Sequence, residues 1–130
     1  MLPSDEPSTR SSYRTVLIVD DQPEFLKMMG RLLASRSSMV VRLAGSALAA
    51  RTVLHAEPVH LVCSDYLLPD TDGISLLREV GERWPLVHRV LMSGHAEPDW
   101  VADLPYLVLH KGMASPTAVR DLLVLMARAG

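Results

Sequence analysis

Apolar residues along this chain come in two alternating patterns. Val16, Leu17, Ile18 and Val19 form an unbroken run that stops at Asp20 and Asp21, as expected of a strand buried on both faces. Pro23 then opens a segment in which Phe25, Met28, Met29, Leu32 and Leu33 recur at helical spacing; proline suits a first turn, where its missing N–H has no helical partner. The alternation repeats. Val40 to Ala44 reads as a strand, Ser46 caps a helix to about His55, and Val59 to Ser64 is an apolar strand ending at Asp65. Gly73 to about Trp84 places Ile74, Leu76, Leu77 and Val80 on one helical side before Pro85 ends it. Arg89 to Ser93 and Tyr106 to His110 are the fourth and fifth strands, and Lys111 follows the fifth. Ser115 caps a last helix with Pro116 in its first turn and Val119, Leu122, Leu123 and Met126 facing inward.

Five apolar strands alternating with helices specify an α/β fold, an open parallel sheet doubly wound with helices on both faces. Ligands in such sheets bind beyond the carboxyl ends of the strands. Asp20, Asp21, Asp65, Ser93 and Lys111 are therefore expected on one edge. Residues 1–13, rich in Pro, Ser and charge, cannot offset their ordering entropy by burial and are expected to be a disordered tail preceding one domain over 14–130.

Composition narrows the function. The 130 residues are 48% hydrophobic, enough for one core, so a single domain is expected, without a DNA-binding output domain. The net charge of −2 gives no field to attract nucleic acid or an anionic membrane. A single cysteine, Cys63, cannot form an internal disulfide, and neither a spanning run nor a signal peptide is visible, so a cytoplasmic location is expected. Five histidines lack metal-ligand spacing.

The strand-end residues form a chemical set. Carboxylate oxygens suit Mg²⁺, which prefers to be shared with a phosphate. Asp65 would be the nucleophile, with the Ser93 hydroxyl and Lys111 ammonium donating to the phosphoryl oxygens it acquires.

These residues resemble the receiver domains of two-component response regulators, including the single-domain chemotaxis type. The matching pieces are VLIVDD from Val16 to Asp21, SDYLLPDTDG from Ser64 to Gly73, LMSG from Leu91 to Gly94, and Lys111. The resemblance implies a flavodoxin-like sheet of strand order 2-1-3-4-5. It also implies that Asp65 accepts phosphate from a sensor histidine kinase, a histidine phosphotransfer protein or a small phosphodonor. Asp21, Asp65 and the Leu67 carbonyl would hold Mg²⁺, with Asp20 acting through water. Leu67 and His95 match the positions that tune hydrolysis of the aspartyl phosphate. Output would pass by protein contact, with a homodimer among the options, rather than by an enzymatic activity on external substrates.

Three departures bear on output. Gly112 replaces the usual proline after the lysine, and Val108 stands where the family's switch aromatic usually sits. Tyr106, two residues earlier, faces the same side of a strand and is the substitute in a Ser93, Tyr106 and Val108 switch. The stretch between the fourth and fifth strands is about one turn short and carries Pro98 and Pro105, so a fourth helix there is expected to be short or absent. The alternative reading is a pseudo-receiver, a constitutive binding or dimerisation module without phosphorylation. A small phosphohydrolase ranks lower, because Leu67 stands where its second catalytic aspartate would be.

Overall fold

The computed structural model describes residues 14–35, 39–94, 103–111 and 116–128. Strands β1 (Arg14–Val19), β2 (Met39–Ala44), β3 (Leu61–Asp65), β4 (His88–Ser93) and β5 (Leu107–His110) form one parallel sheet in the order β2-β1-β3-β4-β5. Helices α1 (Pro23–Ala34), α2 (Ala47–Ala56), α3 (Gly73–Arg83) and α4 (Pro116–Arg128) alternate with them. The expected tail over 1–13, most of the stretch where a short or absent fourth helix is expected, and the Ser115 cap lie outside the described residues. No helix among the described residues is long and apolar enough to cross a membrane.

Strand alternation divides the core. Leu17, Val19, Val62 and Leu91 face α2 and α3, where they meet Ala47, Ala50, Leu54, Ile74, Leu77 and Val80. Val16, Ile18, Leu61, Cys63, Val90 and Met92 face α1 and α4, where they meet Met29, Leu33, Val119 and Leu123. Successive residues on a strand point to opposite faces, so continuous apolar runs supply both layers at once. Each fully buried Leu or Ile contributes about 1.5–3 kcal/mol of transfer free energy. Cys63 is buried, and burial pushes its thiol up, away from reactivity.

The strand expected from Val59 begins at Leu61. The His60 imidazole replaces a backbone acceptor: Thr15 N donates to His60 Nδ1 at 2.9 Å, while His60 N donates to the Thr15 carbonyl. Regular β1–β3 pairing starts only at Val16 opposite Leu61. Tyr106 similarly lies just outside β5, because its ladder with β4 starts at Val90 opposite Leu107. Trp84 ends α3: its N–H donates to the Val80 carbonyl, and its ring packs on the α2–α3 side of the core, T-shaped to the His55 ring with centroids 5.1 Å apart.

Candidate functional site

Parallel pairing in register brings the carboxyl ends of β1, β3, β4 and β5 to one edge. Asp20 continues the β1–β2 ladder by donating its N–H to the Ala44 carbonyl. Its Oδ1 accepts from Gln22 N at 2.8 Å, an Asx turn that leads the chain into α1. Its Oδ2 receives Lys111 Nζ at 2.5 Å. Both oxygens of this buried carboxylate are thus engaged.

Asp65 is the last residue of β3 and 7% exposed. Ligand oxygens of Asp20, Asp21 and Asp65 lie within 4.8 Å of one another, and Asp21 is exposed to solvent. Lys111 Nζ stands 3.4 Å from Asp65 Oδ1. Burial pushes the Asp65 carboxyl above the ordinary carboxylate range; Lys111 opposes that rise and the Asp20 charge adds to it. Three carboxylates against one ammonium leave a local excess of negative charge, and an all-oxygen donor set of this kind suits Mg²⁺.

Ser93 ends β4 and is buried; its carbonyl accepts the Lys111 N–H at 2.9 Å, which fixes the start of the lysine relative to β4. Asp65, Asp20, Asp21, Ser93 and Lys111 therefore share one edge. Leu67 is half exposed in the loop after β3, where it bridges Asp72. His95 and Gly112 lie outside the described residues. Val108 pairs with Leu91 in the sheet and packs on the α2–α3 side of the core. Tyr106 packs on the same side, near the start of β5, with the Arg89 guanidinium 5.0 Å from its ring centroid. The Tyr106 hydroxyl is buried without a hydrogen-bond partner among the described residues, and burial pushes the phenol up against the pull of Arg89.

Two residues near the site had no signal in the sequence. Phe25, read there only as part of an apolar helical stripe, places its ring centroid 4.3 Å from Lys111 Nζ. Asp70 reaches from the loop after β3 to α2, accepting from Ala47 N and Leu48 N at 2.9 Å each. These are otherwise unpaired donors of a first turn. The other acid of that loop, Asp72, caps α3 by accepting from Ser75 N at 2.7 Å. Hydrogen bonds from Ala47 and Leu48 hold the Asp70 carboxyl below its ordinary range. Its stabilising contribution is therefore complete above that range and is lost as pH falls through the lowered value. Wild type is expected to melt above Asp70→Ala at neutral pH, with the two melting temperatures converging in acid; a constant gap across a pH series contradicts this cap.

Comparison with known proteins places this edge in context. The family model described as the response regulator receiver domain matches residues 16–109. The hydrogenase transcriptional regulatory protein HoxA of Bradyrhizobium diazoefficiens is 32% identical over 78% of this chain and 21% of its own length. The transcriptional regulatory protein GlrR of Escherichia coli K12 is 36% identical over 67% of this chain and 20% of its own. The chain thus spans about a fifth of these curated relatives. Among solved structures, the signal receiver domain of an HD domain-containing protein from Pseudomonas fluorescens Pf-5 superposes with a TM-score of 0.79 at 24% identity, covering 89% of this chain and 88% of that one. A CheY-like receiver domain protein from Methanospirillum hungatei JF-1 gives 0.76 at 21% identity, covering 92% and 100%.

Proposed function

Since this chain belongs to the response regulator receiver domain family, we propose that it is a phosphoryl-accepting signalling module, with residues 14–130 as the receiver unit and Asp65 as the acceptor. The observation that carries this reading is the setting of Asp65 at the end of β3, beside Asp20, Asp21 and Lys111. A solitary turn aspartate would have no reason to share a buried edge with two further acids and a lysine.

An Asp65 carboxylate oxygen attacks phosphorus; the bond from phosphorus to the donor's imidazole nitrogen, or to its acyl oxygen, breaks, and the donor leaves with that electron pair. Mg²⁺, when bound, neutralises charge on the phosphoryl oxygens. Asp21 and Asp65 would be its direct carboxylate ligands, joined by the Leu67 carbonyl. Asp20 would act through water, in keeping with the engagement of both its oxygens by Gln22 N and Lys111. Ser93 and Lys111 donate to the new oxygens, and Leu67 and His95 are the positions assigned to tuning hydrolysis.

The donor is a sensor histidine kinase or a histidine phosphotransfer protein, in the cytoplasm. Similarity to transcriptional regulators and to sensor proteins, including the sensor kinase CckA of Brucella abortus, supports this pairing. Output passes through Ser93, Tyr106 and Val108 to a protein partner or to a second copy of the chain. An intact acid cluster favours this reading over a pseudo-receiver. With acetyl phosphate and Mg²⁺, intact mass is expected to rise by one phosphoryl group, and chelation with EDTA to prevent the rise. A mass unchanged under all conditions would sink the proposal.

A further inference from the structure

The contact between Lys111 and Phe25 carries a role beyond core packing. The ammonium has three N–H donors. Asp20 Oδ2 stands 2.5 Å away and Asp65 Oδ1 3.4 Å away, and the Phe25 ring centroid lies at 4.3 Å. That distance is well inside the reach of a cation–π contact. The lysine side chain is only 16% exposed, so the ammonium is largely withdrawn from water. Phe25 occupies the first turn of α1, half-buried against the α1–α4 side of the core, and its backbone is held by the helix. Lys111, by contrast, has its backbone secured to Ser93 on one side and is followed by Gly112, which adds no side-chain restriction.

We propose that Phe25 is a positioning residue, a π-face seat that holds the Lys111 ammonium between Asp20 and Asp65 for phosphoryl transfer. This rests on the phosphoacceptor reading above. A ring face attracts a cation without fixing a hydrogen-bond direction. The ammonium can therefore leave Asp20 and meet the phosphoryl oxygens on Asp65 while keeping its seat. A leucine at position 25 would fill similar space but provide no quadrupole, leaving the long lysine stem to wander among rotamers.

The composition provides a clean test. Phe25 is the only phenylalanine in the chain, and Lys27 and Lys111 are the only lysines. Biosynthetic replacement of phenylalanine by mono-, di- and trifluorophenylalanine therefore alters the ring at this one site and drains its negative face in steps. The initial rate of phosphorylation by acetyl phosphate with Mg²⁺ is expected to fall progressively along the series. Phe25→Leu should lose about threefold to thirtyfold, and Phe25→Trp should recover most of it. In NMR spectra of the unphosphorylated protein, the Lys111 ε-methylene protons should be shifted upfield of those of Lys27 by the ring current, and Phe25→Leu should abolish that displacement. Melting curves identify any variant whose loss comes from unfolding.

A flat fluorine series in a protein that wild-type assays show to be phosphorylated overturns the seat and leaves the phosphoacceptor reading standing. Equal Lys111 shifts in wild type and Phe25→Leu overturn it as well. Failure of wild type to take up phosphate overturns both.

Discussion

Gly73→Ala is expected to destabilise the protein by about 3 kcal/mol or more, lowering the melting temperature by about 10 °C. A β-carbon at this first residue of α3 would lie 2.0 Å from the Asp65 carbonyl oxygen, 2.9 Å from the Asp65 carbonyl carbon and 3.0 Å from Ser64 Oγ. The nearest atoms it meets belong to the Asp65 backbone, which cannot swing aside. Gly73 N also donates to the Tyr66 carbonyl at 2.6 Å, so the helix start cannot retreat without losing that bond. Relief must come from moving Asp65, and phosphoryl acceptance should fall with stability. Gly81→Ala is the control. Its new β-carbon meets the Arg89 guanidinium, 2.4 Å from Nη1, which is the end of a flexible side chain and can swing aside. Thermal unfolding of both variants checks the contrast; comparable losses would show that close approach at Asp65 is not what Gly73 supplies.

Asp65→Asn is expected to remove phosphoryl acceptance entirely while raising the melting temperature of the metal-free protein at neutral pH. Burial holds the Asp65 carboxyl above its ordinary range, with the Asp20 charge adding to burial and Lys111 opposing both. A group raised in the folded state contributes stability below its unfolded value, and that contribution is lost as pH rises through the folded one. At neutral pH the ionised carboxylate therefore works against folding, and an uncharged amide removes the penalty. Mg²⁺ should reverse the order, because binding to the folded wild type adds stability that the variant cannot gain equally. The check is a pair of melting curves with and without Mg²⁺. A variant less stable than wild type in EDTA would contradict the charge balance assigned to this edge.

Much of this arrangement was legible in the sequence because the apolar runs are long and their ends are polar. VLIV followed by two aspartates fixes a doubly buried strand and the direction in which it opens, and the same logic places Asp65 and Lys111 beside it. The Asp72 cap of α3 is local as well, reaching only three residues along the chain to Ser75 N. Contacts without a period were hidden. Asp70 meets α2 across 23 residues of chain, and Phe25 meets Lys111 across most of the domain. His60 blurred the start of β3, because a side-chain nitrogen took the place of a ladder acceptor. Tyr106 was placed on the correct face by parity, but not its hydroxyl, which is buried without a partner among the described residues.

The central claim is that phosphate enters on Asp65, and the linkage itself can be read. Protein exposed to acetyl phosphate and Mg²⁺ is treated with borohydride, which reduces an acyl phosphate to an alcohol, and the peptide carrying β3 is sequenced by mass spectrometry. The account predicts homoserine at position 65 and nowhere else, in proportion to the phosphate taken up. Homoserine at Asp20 or Asp21, or an unmodified Asp65 in phosphorylated protein, would contradict it.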